Sequence, residues 1–295
     1  MWKVGTAAAM VLAGVLLAAC GNDADDATPG AMPADDEHEE MFDDPGMMHV
    51  HGLGMNPADG LLYVATHTGL FRLREGGEPE RVSERLHDFM GFTVVGADHF
   101  YTSGHPDLRD YREGELPPHL GLMESTDGGR TWTPVTLLGD ADFHALRYEH
   151  GMVYGFDSTG RRFMTWDGEG DWEERSTLLL YDFVVHPEEP DVVIATTQAG
   201  PAKSTDGGRT WSPIEGAPLL VWLEWAPAGG LWAIGQAGGV FLSEDDGQSW
   251  AQQGQAERDA ESFLVEDGVL YVALLDGGIA RSEDGGATWT WLYEP

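Results

Sequence analysis

Ser204-Thr205-Asp206-Gly207-Gly208-Arg209-Thr210-Trp211 is a phrase that the chain repeats. It returns as Ser125-Thr126-Asp127-Gly128-Gly129-Arg130-Thr131-Trp132, as Ser243-Glu244-Asp245-Asp246-Gly247-Gln248-Ser249-Trp250 and as Ser282-Glu283-Asp284-Gly285-Gly286-Ala287-Thr288-Trp289. A degenerate copy runs from Thr165 through Asp167 to Trp172. The closing tryptophans stand 40, 39, 39 and 39 residues apart. Each copy follows a short alternating segment led by glycine, such as Gly239-Val240-Phe241-Leu242 or Gly278-Ile279-Ala280-Arg281, and precedes another strand-like run. The phrase is therefore expected to be a turn between two antiparallel strands. Its aspartate can accept backbone N–H bonds inside the turn, glycine supplies positive φ, and tryptophan can bury a large ring between neighbouring sheets. Every feature serves folding, so these phrases are not expected to form an active site.

Outward from the phrase, a period of about 40 residues with four short strands per unit implies blades of a β-propeller. Gly69-Leu70-Phe71-Arg72-Leu73, followed by Arg74 to Gly77, occupies the position of an eroded first copy. Six all-β blades then consume residues 47–295, and the segment before them is too polar for a seventh. The last strand-like run, Thr288 to Leu292, falls in its own blade, which leaves the strand arrangement at ring closure open.

The repeated phrase resembles the Asp-box, or BNR, repeat of sialidases, sortilin-type receptors and photosystem-stability-factor-like proteins. His49-Val50-His51-Gly52-Leu53, Ala65-Thr66-His67-Thr68-Gly69 and Ser103-Gly104-His105-Pro106 are similar to phrases in secreted bacterial Asp-box proteins described as glycosylhydrolase-like. The resemblance implies that first strands line a central channel. It also implies that first-strand starts and second-strand ends share one face, with the Asp-box turns on the other.

The amino terminus carries an early Lys3 and an apolar run from Ala7 to Ala19, with the proportions of a signal-peptide core. Leu17-Ala18-Ala19-Cys20-Gly21 resembles the bacterial lipobox, which makes residues 1–19 a signal peptide and the only cysteine, Cys20, a lipidation site. Several acyl chains give stable anchoring where one would not. Residues 20–46 form an acidic tether with ten Asp or Glu after Cys20 and no Lys or Arg. The expected address is the bacterial cell envelope, on the outer face of the cytoplasmic membrane.

The net charge is −35; removing the ten tether acids and Lys3 leaves −26 for residues 47–295. Such a surface repels phosphate backbones, and nucleic acid is excluded as a partner. One cysteine excludes an internal disulfide, and no zinc-finger spacing occurs. A monomer is expected.

Aligning the repeats places first-strand starts at His51, Met90, His144, Tyr181, Val221 and close to Ser262. Second-strand ends fall at His67, His105, Ser158, Gln198, Gln236 and Leu275. Equivalent positions on a ring should look alike, yet His51, His67, His105 and His144 concentrate in blades 1–3, as in a site grafted onto a scaffold. With Met90 and Tyr181 they form the expected ligand-binding set. The four histidines are also a candidate transition-metal site, for copper or zinc, with Asp142 and Asp157 nearby and Met47, Met48 and Met55 favouring copper. Between His105 and Gly121 an insertion of about 14 residues leaves from the same face and reads as a partial lid.

The favoured function is binding of a ligand, a metal ion or a protein or glycan partner at this mouth, without catalysis. The alternative is a glycoside hydrolase, which needs two carboxylates about 5 to 10 Å apart, one with a raised pKa. Asp142 and Asp157 are its candidates, with Asp182 and Glu261 also near the mouth. Trp222 and Trp225 are candidate sugar-stacking groups. A true sialidase is not expected, because no three arginines converge on the channel mouth.

Overall fold

The computed structural model describes residues 44–295 apart from 75, 228, 257 and 258. The expected signal peptide, Cys20 and nearly all of the tether lie outside the described residues. The first described residue, Asp44, three residues before the expected boundary at Met47, already pairs its carboxylate with Arg81.

Six four-stranded antiparallel sheets form a ring of six blades, at residues 50–81, 88–136, 143–177, 180–213, 220–255 and 260–293. In every blade the chain moves from the innermost strand outward in sequence order. The last strand, Thr290–Tyr293, pairs within blade 6, so no strand is exchanged to close the ring. Closure instead comes from apolar packing of Ala273 and Ile279 of blade 6 against Val50, Leu53, Val64 and Phe71 of blade 1. Glu261 adds a polar latch by accepting the N–H of Val50 at 2.9 Å.

The Asp-box turns behave as the residue chemistry requires. Asp206 Oδ1 accepts the N–H groups of Arg209 and Thr210, its Oδ2 accepts the Thr210 hydroxyl at 2.7 Å, and Ser204 Oγ accepts the N–H of Gly208. The bonds from the N–H and hydroxyl four residues on, and from the glycine N–H to the serine, recur around Asp127, Asp245 and Asp284. The Thr210 hydroxyl and N–H hold the Asp206 carboxyl down at about 2. The second glycine of each complete box faces the preceding blade: Gly208 has φ +85°, and a Cβ there would stand 2.2 Å from Phe163. Trp132, Trp172, Trp211, Trp250 and Trp289 each pack into the apolar layer between their own blade and the one before it. The junction of blades 6 and 1 is the one layer without such a ring.

Candidate functional site

The six innermost strands carry a register shift at one common place. The pairing jumps from Val50 to Gly52, Phe89 to Gly91, Phe143 to Ala145, Leu180 to Asp182, Leu220 to Trp222 and Ala260 to Ser262. The skipped residues are His51, Met90, His144, Tyr181, Val221 and Glu261. A bulged residue is released from the ladder and its side chain re-aimed. Five of the six expected strand starts therefore fall on the bulge. The sixth is Glu261 rather than Ser262, which pairs back in the ladder and is buried.

The second-strand ends fall where the alignment puts them. The N–H groups of His67, Ser158, Gln236 and Leu275 reach the carbonyls of His49, Asp142, Leu219 and Asp259, each two residues before a bulge. These inner positions form a second ring: His49, Asp88, Asp142, Leu179, Leu219 and Asp259.

On the side of blades 1–3 the two rings produce a chain of imidazoles and carboxylates. His49 Nδ1 lies 3.1 Å from Glu261 and its ring stands edge-on to that of His67, 6.3 Å away. His67 Nδ1 lies 2.8 Å from Asp88 Oδ2, and His51 Nε2 lies 3.5 Å from Asp88 Oδ1. Asp88 pairs across the strands with His105. His105 Nε2 and His144 Nε2 lie 3.7 and 2.9 Å from Asp142 Oδ2. The four expected histidines thus share one face but divide into two clusters, each centred on an aspartate. Met90 is the bulge residue of the blade between them.

The two expected catalytic acids serve the fold. Asp157 is wholly buried; its Oδ1 accepts the Asp142 N–H and the Thr159 hydroxyl, and its Oδ2 accepts Gly160 and Arg162. Burial pushes its pKa up, but these donors outweigh it and the net value is below the ordinary carboxylate range. No oxygen is left for a substrate. Asp142 is likewise lowered, burial being outweighed by His144, the Ser158 hydroxyl and nearby His105. It is ionised and unsuited to act as a general acid.

The raised carboxyl lies deeper. The first strands enclose a channel of about 350 Å³ whose lining includes Arg147, Glu149, Asp182, Glu224 and Glu266. Arg147 Nη2 sits 2.9 Å from Asp182 and 3.6 Å from Glu224. Burial, only partly offset by Arg147 and reinforced by Asp182, pushes Glu224 up to about 8. Asp182 is also raised by burial, against the pull of Arg147 and the Leu223 N–H. Trp222 and Trp225 line the channel, but Trp222 Nε1 donates to the Ala260 carbonyl and Trp225 packs edge-on against His186.

The insertion forms a helix, Leu108–Glu113, capped by Asp107 and ended by Gly114 in the left-handed region. Asp107 also accepts the Leu86 N–H, its own N–H goes to His87, and Arg85 pairs with Asp110 at 3.0 Å. The expected lid is thus pinned to the loop ahead of blade 2. Its tail places the Pro118 carbonyl 2.9 Å from His105 Nδ1 and the His119 ring 5.6 Å from that of His105.

Repeat alignment missed His49, Asp88, Arg147, Glu224 and His119. Asp88 was within reach, because it precedes Met90 by the same two residues that separate Asp142 from His144.

The face has a second character. Among the described residues, the exposed large apolar side chains are Met48, Leu108, Tyr111, Leu138, Leu179, Tyr181, Leu219 and Leu275. All eight belong to strand starts or connections on the mouth face, and none to the Asp-box face. Leu179, Tyr181 and Leu219 lie on blades 4 and 5 and Leu275 on blade 6, where blades 1–3 carry the imidazoles.

Comparison with known proteins fits this description. Residues 202–213 match the BNR/Asp-box repeat. The chain is 25% identical over 205 residues to a xyloglucanase of Paenibacillus sp, covering 59% of this chain and 18% of the relative. It is 25% identical over 181 residues to the photosystem II assembly lipoprotein Ycf48 of Synechococcus sp. (strain CC9902), covering 57% and 54%. The chain thus spans about half or less of these relatives. Among solved structures, YCF48 bound to D1 peptide superposes with a TM-score of 0.52 at 18% identity, covering 84% of this chain and 82% of that one. The GH74 enzyme of Niastella koreensis superposes with a TM-score of 0.56 at 16% identity, covering 83% and 45%. The chain folds as a six-bladed β-propeller with Asp-box turns, and its likeness to these structures is a likeness of fold.

Proposed function

We propose that this chain is a lipid-anchored, extracytoplasmic propeller that docks a protein partner, or a peptide segment of one, on its mouth face. One observation carries the reading: every exposed large apolar side chain among the described residues shares that face with the imidazole clusters. Apolar side chains gathered on one side, with polar groups beside them, are the mark of an interaction surface rather than of scattered surface residues. The similarity to Ycf48, seen elsewhere with a bound peptide, supports a partner of this class. That protein's description as a lipoprotein supports anchoring through Cys20. The strongly acidic surface favours a partner whose apolar anchors are flanked by neutral or basic residues. A photo-crosslinking residue placed at Leu219 or Leu275 in cells is expected to trap a discrete adduct, whereas one at the exposed Gln248, on the Asp-box face, traps none. Equal labelling from both faces, or none from either, overturns the reading.

The glycosidase alternative draws support from one pair of groups, Glu224 and Asp182, since Glu224 is the carboxyl held near 8. Both contact the same guanidinium inside the channel, an arrangement suited to holding three blades together. Release of reducing ends from xyloglucan, abolished by E224Q, would favour that alternative over docking.

A further inference from the structure

The two imidazole clusters contain contacts that hydrogen bonding leaves unexplained. His51 Nε2 and Asp88 Oδ1 are both buried, neither has a hydrogen-bond partner, and they face each other across 3.5 Å. Asp142 Oδ1 is also buried and unpartnered. His105 Nδ1 lies 2.9 Å from the Pro118 carbonyl, which can only accept, so that nitrogen carries the proton. In neutral His105 the other nitrogen, Nε2, then presents a lone pair toward Asp142 Oδ2, 3.7 Å away, beyond hydrogen-bond range. A lone pair facing a carboxylate is repulsive unless a proton or a metal ion lies between them, and 3.7 Å is longer than a proton-bridged contact.

These spacings suit a cation. Around a tetrahedral ion with ligand bonds near 2.0 to 2.1 Å, neighbouring ligand atoms stand about 3.3 Å apart. In each cluster, one nitrogen from each of two histidines and one carboxylate oxygen lie within 4.8 Å of one another. A ligating histidine commonly donates its remaining N–H to a backbone carbonyl, as His105 does to Pro118. The clusters are also related by the repeat. His67 and His105 both end second strands, and Asp88 and Asp142 both stand two residues before a bulge. The third member differs, His51 coming from the earlier blade in one cluster and His144 from the later blade in the other.

We infer that the mouth face carries two adjacent sites for borderline divalent transition-metal ions, one at His51, His67 and Asp88 and one at His105, Asp142 and His144. Two imidazoles and a carboxylate suit zinc or copper(II), whereas calcium and magnesium prefer all-oxygen shells. Three protein donors leave a position open for water or for a side chain of whatever approaches the mouth. The inference stands on these side chains and does not depend on the docking reading.

The test uses the full-length chain without an affinity tag, in detergent, stripped with a chelator and titrated separately with zinc sulfate and copper sulfate by calorimetry. The expected result is saturable uptake of two ions per chain, unaffected by excess magnesium. His67→Ala and His105→Ala should each lower the uptake to one ion, and the double variant should abolish it. Copper at the remaining site of either single variant should show the paramagnetic signature of two coordinated imidazole nitrogens. The His67 and His105 side chains are 55% and 39% exposed, so both replacements should fold, and thermal unfolding of the metal-free variants checks this. Absence of saturable uptake at micromolar metal overturns the inference. So does uptake that survives the double variant, which would place the metal elsewhere on this acidic chain.

Discussion

The channel carboxyl Glu224 offers a prediction whose size follows from its surroundings. Its pKa is raised from 4.5 to about 8, so the folded chain holds a proton there that the unfolded chain releases. A group raised in this way costs nothing below about pH 4.5. Its cost grows as pH rises and reaches a plateau above about pH 8. The full shift corresponds to about 3 kcal/mol at pH 7 and about 5 kcal/mol on the plateau. The Glu224 side chain keeps 21% of its exposure, and water in the channel screens part of this. About half, roughly 2 kcal/mol at pH 7, is the figure to test.

E224Q keeps the shape of the protonated acid and removes the titration. The pull of Arg147 and the repulsion from Asp182 are already contained in the value of about 8, so they add nothing further. The variant should match the wild type near pH 4.5 and exceed it by about 2 kcal/mol at pH 7, a rise in Tm of roughly 4 to 8 °C. Chemical denaturation of both proteins from pH 4.5 to 9 measures the gap. A gap that stays constant with pH, or that favours the wild type at pH 9, refutes the assignment of Glu224 as a buried, protonated acid.

Phe163→Ala should cost about 3 to 5 kcal/mol in urea unfolding, because the ring is fully buried against Phe183 and Trp211 between blades 3 and 4. Gly208→Ala, ordinarily a mild change, should cost about 1 to 3 kcal/mol in thermal unfolding, since its φ is +85° and the new methyl meets Phe163. Asp206→Ala should lower Tm at neutral pH. Asp206 is depressed to about 2, so its contribution is present above about pH 3.8, and the gap to the wild type should close as pH falls through 2.

The architecture was legible because one short phrase does two jobs in each blade. Asp206, Thr210 and Ser204 close a turn, and Gly208 and Trp211 fit that turn against the preceding blade, so the residues recur wherever the geometry does. The eroded first copy at Gly69 to Leu73 could be found by spacing alone. The bulge was half legible. His51, Met90, His144, Tyr181 and Val221 aligned, but Ala260-Glu261-Ser262 fits the alternation in two registers, and only backbone pairing chooses Glu261. His49 lies ahead of the first strand, where spacing has no anchor, whereas Asp88 opens its strand two residues before Met90, as Asp142 stands two before His144. Asp157 misled because a carboxylate at a strand end looks like a mouth group, while its oxygens are taken by its own turn and by the Asp142 amide. Arg147 and Glu224 gave no signal, since the blade repeat does not say that charged residues on innermost strands face one another across an axis.

The ring also separates what folding requires from what it does not. His49, Asp88, Asp142, Leu179, Leu219 and Asp259 hold one structural position, and what the fold uses at Leu219 is its backbone carbonyl, which accepts the Gln236 N–H. The Leu219 side chain is 53% exposed, so Leu219→Asp should change stability by no more than about 0.5 kcal/mol. Asp142→Leu differs, because Asp142 is buried and its Oδ2 accepts from the Ser158 hydroxyl and His144, so the change should cost about 1 to 3 kcal/mol. Folding thus draws on the side chain of the blade 3 aspartate but not on that of the exposed leucine of blade 5. If Leu219→Asp proved as destabilising as Asp142→Leu, the apolar half of the mouth would belong to the core, and the argument that it awaits a partner would fail.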